Sequence, residues 1–209
     1  DAEVIFTTVD YLREIGLTPK DIKVKMSSRK LLAAVLKKIG VPDEKLNPLY
    51  TLLDKKAKLP PEVFSATLKE QVGDDMAGRI ITFMESQTAT SIENIVKTED
   101  GDELETAIKE LENCAAQLCR MGISDYCVFD PGIVRGLAYY TGIVFEVHDI
   151  QGDLRAICGG GRYDNLLRDF GGPAVSATGM GMGDCVLEIL LREKGLLDRM
   201  FYNSLTVWE

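Results

Sequence analysis

The chain has 209 residues, 27% of them charged and 45% hydrophobic, with a net charge of −9. That length supports one substantial domain, or a core carrying a smaller insert, and the composition is that of a chain able to build a packed core. No run approaches the roughly 20 apolar residues that a membrane span needs, so no membrane association is expected. One His148 and five cysteines without C-x-x-C spacing fit neither a zinc site nor a secreted disulfide scaffold. Buried, reduced thiols in an intracellular compartment, cytoplasmic or organellar, are expected instead. No basic, apolar, then small-residue leader opens the chain; Asp1 falls within what reads as a helix, so the natural start is expected upstream.

Residues 2–15 carry Val4, Ile5, Val9, Leu12 and Ile15 at helical spacing, with Gly16 as a stop. Residues 22–26 alternate apolar and basic side chains, as a half-buried strand does. Ser27 or Ser28 can cap a helix over 29–39 that ends at Gly40. Between about 42 and 98 the texture is helical, broken by Pro48, Pro60, Pro61, Gly73 and Gly78, which predicts a small helical insert. An acidic turn is expected at 98–102. Leu104, Ile108, Leu111, Ala115, Leu118 and Met121 then form an apolar helical stripe.

Beyond Gly122 the pattern becomes that of strands: 126–130, an approach at 133–137, a long β-branched and aromatic run over 139–148, a turn at 151–153, and a return over 154–158. Helix openings are predicted at 162–167 and from about 184 to 194. Hairpin-linked strands followed by helices give an α+β fold with a mostly antiparallel sheet. The charge is uneven: residues 20–69 hold 12 of the 24 Lys and Arg and sum to +7, the remainder to −16. A polyanion could dock on that stretch; from charge alone a solvated helical surface is the simpler reading, since no aromatic interleaving accompanies the lysines.

Three stretches concentrate unusual residues. In 134–146, Arg135 beside Gly136 can set a permanent charge against a phosphate or carboxylate, because its planar fork matches those groups. The plain alternative is a structural arginine. Adjacent tyrosines on a strand point to opposite faces, so at most one of Tyr139 and Tyr140 is expected in a given pocket. In the second stretch, Gly159, Gly160 and Gly161 would let a ligand lie on the backbone and offer N–H groups to a phosphate; a tight strand-to-helix turn needs glycine just as much. In the third, Gly179, Gly181 and Gly183 alternate along a strand and clear one face for a planar base, or for a closely packed helix. Without a βαβ unit and its acid, a dinucleotide fingerprint is excluded.

Taken together and in this order, these stretches resemble the histidyl-tRNA synthetases, class II aminoacyl-tRNA synthetases. Arg135-Gly136-Leu137-Ala138-Tyr139-Tyr140 is similar to the family's first histidine signature, R-G-L-D-Y-Y, and Gly160-Gly161-Arg162-Tyr163-Asp164 to its second. Residues 179–184 stand where the third class II motif belongs, and Asp1-Ala2-Glu3-Val4-Ile5 resembles the helix after the second. The resemblance covers essentially the whole chain. It implies a class II synthetase-like, mostly antiparallel sheet flanked by helices, divided into core 1–41, helical insertion 42–98 and core 99–209.

The resemblance further implies ATP-dependent activation of histidine to histidyl-adenylate and transfer to tRNA(His), with Mg2+ accompanying ATP and no metal ligands from the protein. Arg135 would contact the histidine carboxylate and the α-phosphate. Tyr139, Tyr140 and Tyr163 would line the histidine pocket, Gly159, Gly160 and Gly161 would pass beside the adenylate, and Gly181 and Gly183 would floor the adenine slot. tRNA(His) would approach residues 20–69, and a homodimer is expected for the full-length protein. The first two class II motifs and an anticodon-binding domain are expected outside this chain, so these residues alone should be inactive.

Two departures stand out. The family's third motif usually ends in Glu-Arg, where this chain has Cys185 and Val186, a form that resembles a plant-organellar-like branch. Ala138 replaces the common Asp. A competing resemblance is to the synthetase-like regulatory subunit of ATP phosphoribosyltransferase, a histidine-binding module that can keep a run like 139–146.

Overall fold

The computed structural model describes residues 1–86, 92, 95–96, 101–151 and 154–197. The expected boundary at 98, most of the acidic turn and the centre of the 151–153 turn lie outside the described residues.

Helix α1, Ala2–Glu14, buries Ile5, Thr8, Val9 and Leu12, the one face its spacing marks out. Strand β1, Ile22–Ser28, runs directly into α2, Arg29–Ile39. The change of geometry is local chemistry. Ser28 keeps an extended backbone while its hydroxyl accepts the Leu31 N–H at 3.3 Å, and Gly40, at φ 107°, closes the far end. Helices α3 (Asp43–Leu53), α4 (Pro61–Val72) and α5 (Asp74–Met84) follow. Pro61 stands in the first turn of α4, where its missing N–H costs nothing. Helix α6, Glu103–Arg120, starts on Asp102, whose carboxylate accepts the Glu105 N–H at 2.7 Å.

The remaining strands are β2 (Cys127–Phe129), β3 (Ile143–Asp149), β4 (Cys158–Arg162) and β5 (Thr178–Met182). The four-residue α7, Leu166–Asp169, separates β4 from β5, and α8, Asp184–Glu193, follows β5. The sheet order is β2-β1-β3-β4-β5, with β1 and β2 parallel and every other pair antiparallel. It is a mixed sheet of five strands flanked by helices, as expected.

Two apolar clusters stabilise the fold. One joins α2 to α5 with the start of α6 and includes Val134. The other packs α1, the second half of α6 and α8 against one sheet face, where Ile22, Val24, Met26, Phe145, Val147 and Cys158 point. Leu111 of α6 packs against both.

Several local expectations give way. Residues 133–137 form no strand, and β3 starts only at Ile143, because a chain arriving from β2 at the far side of β1 must first cross to β3. Nor do the glycines lie in a turn after a strand over 154–158. They are β4 itself, hydrogen-bonded between β3 and β5, because only a strand without side chains fits there. Residues 162–165 stay non-helical. In α6 Cys114 is buried, with Ala115 and Met121 exposed: Ala107 is buried as well, so the covered face runs through 104, 107, 111, 114 and 118 and turns away from 115. All five cysteines are free, but Cys119 and Cys185 are exposed rather than buried.

Candidate active site

The helices of the second cluster cover one face of the sheet; the opposite face carries what alternation leaves. Register brings Lys25 of β1, Glu146 of β3, Gly159 of β4 and Gly181 of β5 into one row, with Ser27, Val144, Gly161 and Gly179 in the next. Four glycines thus face each other across two strands as a floor without side chains.

Arg135 sits over this floor. It is the only described non-glycine residue with positive φ, 57°, a conformation costing about 1–2 kcal/mol. An added Cβ at Gly159 would lie 2.5 Å from Arg135 Nη1 and 2.9 Å from its Cζ, so the glycine makes room for the guanidinium. Nη1 donates to Glu146 Oε1, and His148 Nε2 lies 2.9 Å from Glu146 Oε2. An ionised carboxylate only accepts, so that imidazole nitrogen carries the proton. Burial works against the charge on Arg135, but Glu146 and Tyr140 outweigh it and hold its pKa above the ordinary value. Burial likewise opposes ionisation of Glu146, and hydrogen bonds from His148 and Arg135 bring its pKa below the usual range. Arg135 Nε is buried without an acceptor.

The tyrosines depart from expectation. Tyr139 and Tyr140 precede the strand, so the rule of opposite faces does not apply, and the two rings lie 4.6 Å apart by centroid. Tyr163 joins them at 5.8 and 6.4 Å. Burial, then the hydrogen bond with Tyr140, pushes the Tyr139 pKa up to about 12. The turns carrying these rings are tied together: Thr141 Oγ1 donates to Asp164 Oδ2 at 3.1 Å and accepts the Asp164 N–H at 3.1 Å. Added carbons at Gly161 and Gly179 would meet Tyr140 Cδ1 at 3.0 Å and Tyr163 Oη at 2.5 Å, whereas one at Gly181 meets nothing within 4 Å.

The structure therefore brings Arg135, Tyr139, Tyr140, Tyr163, Gly159, Gly161 and Gly181 to one place. Gly160 is not among them: alternation turns it to the helix-covered face, where an added carbon would strike Met180 and the Gly179 carbonyl. Gly183 lies beyond β5 as the N-cap of α8. The β4 N–H groups are engaged in ladders on both sides, so the floor offers space rather than donors. Glu146 and His148 escaped the sequence reading as site residues. Their signal was the i, i+2 spacing of polar groups within an apolar strand.

A cleft of about 1150 Å³ continues from Glu146 and His148 past Lys23 and Lys25 to Asp54, Lys56 and Lys58. Much of the positive charge of 20–69 is met by acids, through Lys25–Asp130, Lys30–Glu110, Lys38–Asp102 and Lys69–Asp74. Arg192, the next arginine in the sequence after the altered third motif, pairs with Glu188 at 2.7 Å. Eight residues beyond Asp184, it stands about 12 Å along α8.

A five-stranded sheet with helices on one face and an arginine over a glycine floor on the other defines a class II synthetase-like fold. Two solved structures share it: histidyl-tRNA synthetase from Nostoc sp. PCC 7120 (TM-score 0.78, 21% identity, covering 92% of this chain and 47% of that one) and an ATP phosphoribosyltransferase regulatory subunit/histidyl-tRNA synthetase from Bacillus halodurans C (TM-score 0.73, 24% identity, 92% and 48%). The sequence profile of the histidyl-tRNA synthetase family matches residues 1–183, and the chain belongs to that family. It is 39% identical over 201 residues to the chloroplastic/mitochondrial histidine–tRNA ligase of Arabidopsis thaliana, covering 96% of this chain and 40% of that protein. To the histidine–tRNA ligase of Opitutus terrae it is 35% identical over 200 residues, covering 94% and 46%. The chain thus spans less than half the length of these curated relatives.

Proposed function

We propose that these residues form the histidine-recognising and adenylate-flooring part of a histidine–tRNA ligase. A histidine carboxylate oxygen attacks the α-phosphorus of ATP, the bond to the β-phosphate oxygen breaks, and pyrophosphate leaves. The ribose hydroxyl at the tRNA(His) 3′ end then attacks the activated carbonyl and AMP departs. The observation that carries this reading is Arg135: a guanidinium held by Glu146 at the edge of the floor, with its buried Nε still lacking an acceptor. Charge builds on the phosphoryl oxygens during attack, and a donor already fixed there stabilises the transition state more than the ground state.

Tyr139, Tyr140 and Tyr163 line the histidine side, Gly159 and Gly161 pass beside the adenylate, and Gly181 faces the base. Gly160 and Gly183 are left out of the floor. Mg2+ would enter with the nucleotide, bound to its phosphates. Residues 42–98 act as an insertion domain between core parts 1–41 and 99–209, with tRNA(His) reaching the site along the Lys56 and Lys58 side of the cleft. The full-length protein is a homodimer in an intracellular compartment, cytoplasmic or organellar.

Histidine-dependent ATP–pyrophosphate exchange and tRNA charging by the whole protein test the reading. Arg135→Ala is expected to lower the exchange rate about 100-fold or more, while the 209 residues alone give no exchange. A whole protein that charges no tRNA would sink the ligase reading in favour of the regulatory subunit.

A further inference from the structure

Arg29 is an arginine in an unexpected place. It opens α2, is only 6% exposed, and has Nη1 without a hydrogen-bond partner. Its Cζ lies 3.9 Å from the centroid of the Tyr50 ring in α3. Burying a guanidinium costs several kcal/mol unless something offsets it, and an apolar side chain of the same volume is often equally stable or more so. The stacked ring, with Asp54 one turn further along α3, offsets part of that cost. Packing alone gives no reason for an arginine.

Its surroundings do. The segment 133–142 carries Arg135, Tyr139 and Tyr140, and its own hold is slight: the Tyr140 N–H to Leu137 carbonyl bond measures 3.5 Å, near the limit for a hydrogen bond. Thr141 ties it to Arg162 and Asp164, and Glu146 holds the Arg135 guanidinium; on the side of α2 and α3 it is fastened at further points grouped around Arg29. The Arg29 backbone N–H donates to the Gly142 carbonyl at 2.9 Å. At the other end, the Asp54 carboxylate fills the place a side chain at Gly136 would take, 2.9 Å from an added Cβ. Two residues before Gly136, Val134 is 1% exposed and packs in the cluster that includes Leu53 of α3.

We infer that Arg29, Tyr50 and Asp54 form a bracket that sets the position of the Arg135 loop, with Arg29 a positioning residue for adenylate formation. The bracket draws on α2 and α3, which lie on either side of residue 42, so a shift of α3 moves Asp54 against Gly136 and with it the guanidinium beside it. Displacement of a charge-stabilising group by about 1 Å costs up to about 100-fold in rate. This inference rests on the ligase reading only for its kinetic consequence; the fastening of the loop is independent of it.

The test uses the whole protein, with Arg29→Met to keep the volume over Tyr50 while removing the charge, and Arg29→Lys to keep the charge. Amide hydrogen exchange over 133–142 should rise in Arg29→Met while α6 stays protected and the melting temperature stays within a few degrees. Pyrophosphate exchange should lose kcat by about 10-fold or more, with the KM for ATP and histidine nearly unchanged, and Arg29→Lys should recover most of the loss. If Arg29→Met does not fold, Asp54→Asn, at the cleft edge, takes its place with the same two readouts. Wild-type loop protection and wild-type kcat in a folded variant would overturn the bracket. A wild-type protein without exchange activity counts against the ligase reading, and loop protection then decides the bracket alone.

Discussion

Glu146 shows how one carboxylate can organise a site. One oxygen accepts from Arg135 and the other lies 2.9 Å from His148 Nε2, so the side chain is held at both ends and fixes the guanidinium. Its pKa is depressed in the folded state: burial pushes upward, and the bonds from His148 and Arg135 prevail. A carboxyl with a lowered folded pKa stabilises the native state above its unfolded pKa, and that contribution is lost as pH falls through the folded value. Wild type should therefore exceed Glu146→Gln in stability at neutral pH, and the gap should close below the ordinary carboxylate range. Chemical unfolding of both proteins across that window checks it. A constant gap would mean that Glu146 does not titrate with folding.

At the scale of elements, α2 is legible in the sequence because its limits are set by neighbours in the chain: Ser28 accepts the Leu31 N–H and Gly40 takes the left-handed turn. Ser28→Ala should cost about 1 kcal/mol, read as a lower denaturant midpoint with an unchanged slope. The buried Ser28 makes compensation by water difficult. β4 is not legible in the same way. Its residues 159–161 have no side chains, so neither alternation nor β-propensity can mark them. Their strand state comes from β3 and β5 on either side, which is tertiary information. The 139–142 segment misleads for the opposite reason: two tyrosines and a threonine carry strong β-propensity, but tertiary ties through Thr141, Arg162 and Asp164 decide the conformation. The site residues themselves are visible through the order of their motifs, while Glu146 and His148 need the register.

For the whole molecule, the electrostatics invert the first impression. A chain of −9 net charge concentrates lysines on one segment, yet several of them are met by acids from elsewhere in the fold. Lys56 and Lys58 still line the cleft that reaches Glu146, with Asp54 3.6 Å from Lys58. If tRNA enters there, affinity in the whole protein should fall with salt, and Lys56→Ala with Lys58→Ala should reduce the log–log slope by about 1–2. Filter binding at several ionic strengths measures this. An unchanged slope places the nucleic acid elsewhere. The two apolar clusters meet at Leu111 on α6, which links the segment bearing those lysines to the sheet.

A floor made of main chain has few ways to vary. At 159, 161 and 179 a single methyl collides with Arg135, Tyr140 or Tyr163, so replacement there disturbs the protein before any ligand arrives. Position 181 is the exception, since an added carbon meets nothing within 4 Å. An alanine there acts as a feeler gauge, silent in the empty protein and felt only by whatever rests on the sheet. If a purine lies on β5, Gly181→Ala should raise the KM for ATP and leave the melting temperature alone. The thickness of the ligand is then read against one methyl group.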